Sequence, residues 1–134
     1  MPKRRVTLSV PLPQYRHPRN EWRRLIHQAA RDAQAARNVQ YLPSDKLEVH
    51  VTLNLSPSAA LHHDVDNRLK DILDALQGRA GGSKALHSLQ PIVPNDRQIY
   101  RVSIEKSPRT DRKRPRGTIT IRKLQRRRSI LSAA

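Results

Sequence analysis

The chain has 134 residues, a length that favours a single domain. It carries 27 Lys and Arg against 11 Asp and Glu, and this formal net charge of +16 favours a polyanionic partner, with nucleic acid ahead of an acidic membrane surface. The lack of Cys excludes disulfides, thiol catalysis and Cys-based zinc sites, and no apolar run approaches the roughly 20 residues that cross a bilayer, so we expect a soluble, cytoplasmic protein.

The first half of the chain predicts a strand, a helix and a second strand. Apolar and polar residues alternate over residues 4–10, which predicts the first strand. After a proline-containing loop, apolar side chains recur at helical spacing through about residue 38, and Asn20 is the expected N-cap. The segment 46–55 alternates most clearly, so we expect a strand with Glu48 on its polar side.

The second half predicts one helix and two strands. An amphipathic helix is expected over residues 66–77, with Gly78 ending it. The glycine-rich segment 78–91 is expected to be a flexible loop. Alternating residues then predict strands over 97–106 and 117–124.

This order of elements predicts the fold class. The order β-α-β-α-β-β favours an α+β fold, with helices packed on one mixed β-sheet in a two-layer single domain. The domain is expected to span residues 1–124, and residues 125–134 form a basic tail.

Four of the acidic residues cluster between positions 64 and 74. On a helical wheel, Asp71 and Asp74 lie away from the apolar arc, so we expect both to be solvated surface residues. Asp64 and Asp66 lie at the entrance of the helix, beside the apolar arc. The cluster therefore divides into two ordinary surface acids and two acids that need a further explanation.

Two explanations are open for Asp64 and Asp66. Asp is a favoured N-cap, and negative charge is stabilising at the start of a helix. Alternatively, two carboxylates this close can approach one Mg²⁺ ion, which prefers hard oxygen ligands, with Asp96 as a third ligand from a distant segment. Lys70 would then stabilise charge on a phosphate, whereas its structural alternative is an ion pair with Asp66 one turn away. For Asp96 the structural alternative is a turn residue.

Other metal interpretations fit less well. The segment "DVDNRLKDILDA" begins like an EF-hand, but Leu69 stands where that calcium loop needs Gly. His50, His62 and His63 lack the spacing of a zinc site and are expected to be solvated, with a phosphate contact as the alternative for His63.

Two blocks of this sequence resemble the RusA family of Holliday-junction resolvases. The first is "DVDNRLKDILDALQG", which carries the family's D-x-D-N-x-x-K pattern and then D-A-L. The second is "PNDRQIYRVSIEK", which resembles the family's D-D-x-Q-[IV] segment leading into a strand. The blocks occur in the family's order within a chain of matching length and charge. One departure is Asn95, which stands where the family usually has the first acid of the second block.

The resemblance implies a crossover junction endodeoxyribonuclease that acts in DNA recombination and repair. Such an enzyme is a homodimer in the cytoplasm of a bacterium or encoded by a phage, and it cuts four-way DNA junctions by paired symmetric nicks. Its cofactor is Mg²⁺, for which Mn²⁺ can substitute. By the resemblance, Asp64, Asp66 and Asp96 are the catalytic metal ligands, and Lys70 is the essential lysine.

Basic residues outside this cluster are candidates for binding the DNA backbone. They give affinity and salt sensitivity without base specificity. The candidates are Arg68, Arg97, Arg112, Lys113, Arg114, Arg116, Arg126, Arg127 and Arg128. Two other functions stay open, which are a non-catalytic DNA- or RNA-binding protein and a Mg²⁺ nuclease for other branched DNA.

Overall fold

A computed structural model describes residues 7–16, 18–80, 87–107 and 117–125 of the chain. The elements in chain order are strand β1 (Leu8–Pro11), helix α1 (Arg19–Arg37), strand β2 (Leu47–Asn54), helices α2 (Pro57–Ala60) and α3 (Val65–Leu76), strands β3 (Arg79–Ala80) and β4 (His87–Ser88), a 3₁₀ turn (Asp96–Gln98), and strands β5 (Ile99–Ser107) and β6 (Gly117–Lys123).

Four of the strands form one mixed sheet in the order β1-β6-β2-β5. Strand β6 is antiparallel to both β1 and β2, whereas β2 and β5 run parallel, with Leu47 opposite Ile99 and Asn54 opposite Ser107. The predicted fold class, α+β with helices on a mixed sheet, is confirmed. The predicted order of elements lacked α2 and the two-residue strands β3 and β4, which are too short to produce a periodic pattern.

The core lies between the sheet and the helices. Alternate residues of β2, from Leu47 to Leu53, are buried, as the alternation of the sequence predicted. Helix α1 packs against both β1 and α3. The largest buried side chains of the helices are Trp22, Ile26, Ile72 and Leu76. Within the described residues, no helix is long and apolar enough to cross a membrane.

Helix α1 begins earlier than predicted. Its N-cap is Pro18, not Asn20, and the Pro18 carbonyl accepts a hydrogen bond from the Glu21 N–H at 2.9 Å. Proline suits this position because the extended backbone of the N-cap has a φ of −72°, which the ring allows, and the N–H it lacks would have no helical partner. The Asn20 side chain instead accepts a hydrogen bond from Arg23.

Helix α3 ends as predicted, with Gly78 just beyond its last turn. Gly78 has a φ of +81°, which glycine adopts at little cost. A Cβ atom there would lie 2.1 Å from the carbonyl oxygen of Leu89. The Leu76 carbonyl accepts hydrogen bonds from the N–H groups of Ile92 and Val93, so the end of α3 is fixed to the segment that precedes β5.

Several predictions fall wholly or partly outside the described residues. These are residues 4–6 of the first predicted strand, the middle of the predicted loop 78–91, and the basic tail beyond residue 125. The described part of that loop contains the short antiparallel pair of β3 and β4.

Candidate functional site

Asp64 and Asp66 lie at the start of helix α3, and both are exposed. Asp64 is the N-cap, and its Oδ1 accepts a hydrogen bond from the Asp66 N–H at 3.0 Å. Asp66 lies in the first turn, where the helix dipole favours a carboxylate. Asp64 therefore has the capping role that was considered for it. This role does not account for Asp66, whose exposed carboxylate lies beside that of Asp64.

Lys70 lies one turn further along α3 and is also exposed. No salt bridge joins Lys70 to Asp66 in the described part of the chain, although the spacing allows one. An ammonium group and two carboxylates are therefore exposed within the first two turns of α3.

The prediction that Asp71 is a solvated surface residue is wrong. Its side chain is fully buried, and it accepts hydrogen bonds from Arg19 at 2.8 Å, Arg23 at 2.9 Å and Arg68 at 3.3 Å. The wheel correctly placed Asp71 off the apolar arc, but that side of α3 packs against the arginines of α1. Asp74, by contrast, stays partly exposed and pairs with Arg23 at 3.3 Å.

Arg68 makes its contacts within the protein, although the sequence analysis made it a candidate for DNA binding. Its side chain is only 12% exposed. Its guanidinium carbon lies 3.9 Å from the ring centroid of Tyr15, while Nη1 donates to Asp71. Arg68 therefore fixes the first turns of α3 against the aromatic residues that follow β1.

An aromatic cluster supports the segment just before α3. The Tyr15 ring makes edge contacts with Trp22 and with His63, at centroid distances of 5.0 and 5.2 Å. Burial, reinforced by the charges of Arg68 and Lys106, holds the pKa of His63 below its ordinary value, so its imidazole is neutral at neutral pH. His63 is therefore a partly buried residue that packs against Tyr15, and not the solvated loop residue that was expected.

Asp96 begins the 3₁₀ turn before β5 and is exposed. Its neighbour Asn95 caps this turn by accepting a hydrogen bond from the Arg97 N–H, and the Gln98 side chain accepts from the Asn95 N–H. Buried Gln98 also donates to the carbonyls of Leu42 and Asp45, both at 2.8 Å. Asn95 and Gln98 thus hold the turn and leave Asp96 facing solvent.

The acids of the two blocks lie at opposite ends of the domain. Lys106, near the end of β5, donates to the Ala60 carbonyl just before α3, so Asp64 and Asp66 lie at the carboxyl ends of β2 and β5. Asp96 precedes the amino end of β5, where Gln98 contacts the loop before β2. Helix α3 spans this separation with 12 residues, a length of about 18 Å. Consistently, no three His, Cys, Asp or Glu side chains of the described residues are grouped to hold a metal.

The chain leaves β5 and enters β6 at the end of the sheet that carries Asp64 and Asp66. Strand β5 ends at Ser107, whose carbonyl accepts from the Leu55 N–H, and β6 begins at Gly117, opposite Leu53. Residues 108–116 connect these two points. The candidate DNA-binding residues Arg112, Lys113, Arg114 and Arg116 belong to this segment and, like Arg126, Arg127 and Arg128, lie outside the described residues. Arg97 is exposed at the other end, beside Asp96.

Glu48 is a buried acid that the sequence analysis placed on the polar side of its strand. Its side chain is fully buried although it lies on the sheet face away from the helices. It accepts hydrogen bonds from Arg122 of β6 and from Arg101 of β5, and His50 Nε2 lies 3.1 Å from its Oε1. Burial alone would raise the pKa of Glu48, but the hydrogen bonds from Arg122 and His50 outweigh it and hold the pKa below its ordinary value. Glu48 therefore ties the three strands together.

Comparison with protein-family models, with curated proteins and with solved structures finds no match to this chain, so the function must be argued from its own residues.

Proposed function

We propose that this protein is a Mg²⁺-dependent endodeoxyribonuclease that resolves four-way DNA junctions by paired nicks. One observation carries the proposal. In a chain of net charge +16, two carboxylates and a lysine are exposed at the start of α3, at the end of the sheet where β5 ends and β6 begins. Carboxylates on a DNA-facing surface repel phosphate, so a protein that only binds DNA gains no affinity from them there.

The residues at the start of α3 suit a hard divalent cation. Asp64 and Asp66 offer exposed carboxylate oxygens, the donors that Mg²⁺ prefers. When bound, Mg²⁺ would neutralise charge on the scissile phosphate and activate water. Lys70 would stabilise the charge that develops on the phosphate, and the arginines of 108–116 would hold the DNA backbone.

A second copy of the chain would complete the set of acids. Within one chain, Asp96 lies at the opposite end of the parallel strands from Asp64 and Asp66. In a twofold dimer whose subunits run in opposite directions, the partner's Asp96 can approach the start of α3. A junction needs two symmetric cuts, and a twofold dimer supplies two equivalent sites. The proposal therefore includes a homodimer, acting on the bacterial or phage DNA of the cytoplasm.

A second candidate function is a non-catalytic nucleic-acid-binding protein. The observation that favours it is the hydrogen bond between the Asp66 N–H and Asp64, which gives Asp64 a sufficient structural role as an N-cap. In that case the positive charge would bind nucleic acid and the acids would only stabilise α3.

Cleavage of synthetic DNA separates the two functions. A labelled four-way junction and a linear duplex of the same sequence are incubated with the protein, in Mg²⁺ or in EDTA. We expect paired nicks in the junction only and only with Mg²⁺. Asp66→Asn should abolish the nicks and keep junction affinity, while Asp74→Asn, on the same helix, is the matched control. Tight junction binding without any nicks in Mg²⁺ or Mn²⁺ would favour the non-catalytic function.

A further inference from the structure

Strand β5 forms a long edge of the sheet. Within the described residues it pairs with one strand, β2, through eight of its nine residues, and a shift of register leaves Tyr100 without a partner position in β2. Of the four large apolar residues that are exposed in the described part of the chain, three lie on this edge or at its end, namely Tyr100, Val102 and Leu61, with exposures of 60%, 38% and 85%. Leu61 belongs to the edge because the preceding residue, Ala60, accepts a hydrogen bond from Lys106. A long edge strand with exposed apolar side chains is a template for pairing with another strand.

The backbone direction along β5 identifies which groups are available at the edge. The Ser107 carbonyl points to β2, because it accepts from the Leu55 N–H at 2.9 Å. In a parallel pair, alternate residues direct their N–H and C=O to the same neighbour. Ser103 and Glu105 therefore face β2 with their backbone groups, whereas Val102 and Ile104 direct theirs away from β2.

The sequence of β5 is self-complementary when it is reversed about Ser103. In an antiparallel pair centred there, Arg101 faces Glu105 and Val102 faces Ile104 of the other strand. The outer pair is Tyr100 with Lys106, a cation and an aromatic ring. Opposite charges and apolar pairs in facing positions stabilise antiparallel strands. The pairing also joins the N–H and C=O groups of Val102 and Ile104, which are the ones that β2 does not use.

We propose that β5 pairs antiparallel with β5 of a second copy of this chain, about a twofold axis through Ser103. This deepens the proposed function, because it names the surface through which the homodimer forms. The reversed strand brings the amino end of the partner's β5 to Ser107 of this chain, and with it the partner's Asp96 to the end of the domain that carries Asp64 and Asp66. The two sheets become one continuous sheet of eight strands.

A single cysteine at the axis tests the pairing directly, because the chain contains no other. Ser103 would form a narrow pair without backbone hydrogen bonds, with Cα atoms about 4.5 Å apart, which is within the disulfide range of about 4.4–6.8 Å. Ser103→Cys should form a disulfide-linked dimer on mild oxidation. Ser9→Cys is the matched control, because Ser9 is an exposed serine on the opposite edge strand and the same row of the sheet. It should stay monomeric on a non-reducing gel.

A charged substitution at the edge gives an independent measurement. Val102→Arg introduces a charge opposite the partner's Ile104 at a position already exposed in one chain. Light scattering should then give the 15.4 kDa mass of one chain in place of twice that mass, with an unchanged far-UV CD spectrum. Ser9→Arg, at an exposed position on the opposite edge strand β1, should keep the dimer.

Both measurements are made without DNA or metal, so their outcome is independent of nuclease activity. Rapid cross-linking of Ser103→Cys only, together with dissociation by Val102→Arg, supports the pairing even if the protein cuts no DNA. Equal cross-linking of both cysteine variants, cross-linking of neither, or a Val102→Arg variant that stays dimeric would overturn it, even if the protein is an active dimer.

Discussion

Replacing Asp71 with asparagine removes a buried charge that three arginines share. Arg19 is 45% exposed and can return to solvent, so the loss of its ion pair with Asp71 costs little unfolding free energy. Arg68 is only 12% exposed and would be left as a mostly desolvated cation without its carboxylate. Arg23, which is 16% exposed, would keep only its longer pair with Asp74 at 3.3 Å. Removing one partner from a buried ion pair costs about 3–5 kcal/mol of unfolding free energy. We expect a loss in this range for Asp71→Asn.

Urea unfolding followed by far-UV CD measures this loss, and thermal unfolding gives a second value. For a domain of 134 residues the expected loss corresponds to a fall in Tm of about 10–18 °C. Asp74→Asn is the matched control, since Asp74 is partly exposed and makes one bridge to Arg23, worth less than about 1 kcal/mol. A loss for Asp71→Asn no larger than that of Asp74→Asn would refute the account of the cluster as the link between α1 and α3.

Three further predictions follow from single residues. Gly78→Ala should lower the unfolding free energy by more than about 2 kcal/mol, because φ is +81° and the new Cβ would meet the Leu89 carbonyl; an unchanged urea midpoint would contradict this. Since the folded pKa of Glu48 is depressed below 4.5, its ionised form adds stability that is present above pH 4.5 and lost as the pH falls through the folded pKa. The difference in unfolding free energy between the wild type and Glu48→Gln should therefore shrink below pH 4.5, and a difference that is constant with pH would contradict the ionised network. Lys70→Ala should slow junction cleavage about 10²-fold or more with stability unchanged within about 0.5 kcal/mol, and normal cleavage would remove Lys70 from the active site.

The longer elements of the fold were predictable because their signals are local, whereas α2, β3 and β4 are too short to give one. The alternation through β2 gave its buried face, and Gly78 gave the end of α3. The burial of Glu48 was not predictable, because it depends on Arg101 and Arg122 arriving from two other strands in register. The burial of Asp71 likewise depends on how α1 packs on α3. In both cases the arginines that come from other elements are about 50 or more residues away in the sequence.

The candidate site divides in the same way. The capping position of Asp64 could be predicted from the start of the amphipathic pattern, and the structure has it there. The location of Asp96 could not, because it depends on β5 running parallel to β2, which puts the turn before β5 at the far end from α3's first residue. Because of this parallel pairing, the three acids that look like one ligand set in the sequence are divided within one chain. Asp64 and Asp66 lie at one end of the parallel strands, and Asp96 lies at the other.

Mixing two inactive variants tests the central claim most directly, that the acids of two subunits form one DNA-cutting site. Asp66→Asn and Asp96→Asn are each assayed alone on a labelled four-way junction in Mg²⁺, and then as a mixture refolded together from urea. Each variant alone should leave the junction uncut. The mixture should nick it, because every mixed dimer holds one site with all its acids. Random pairing makes about half of the dimers mixed, so about a quarter of all sites are complete. Cleavage by the wild type with no recovery in the mixture would contradict a shared site, and an uncut junction with the wild type itself would contradict the proposed nuclease.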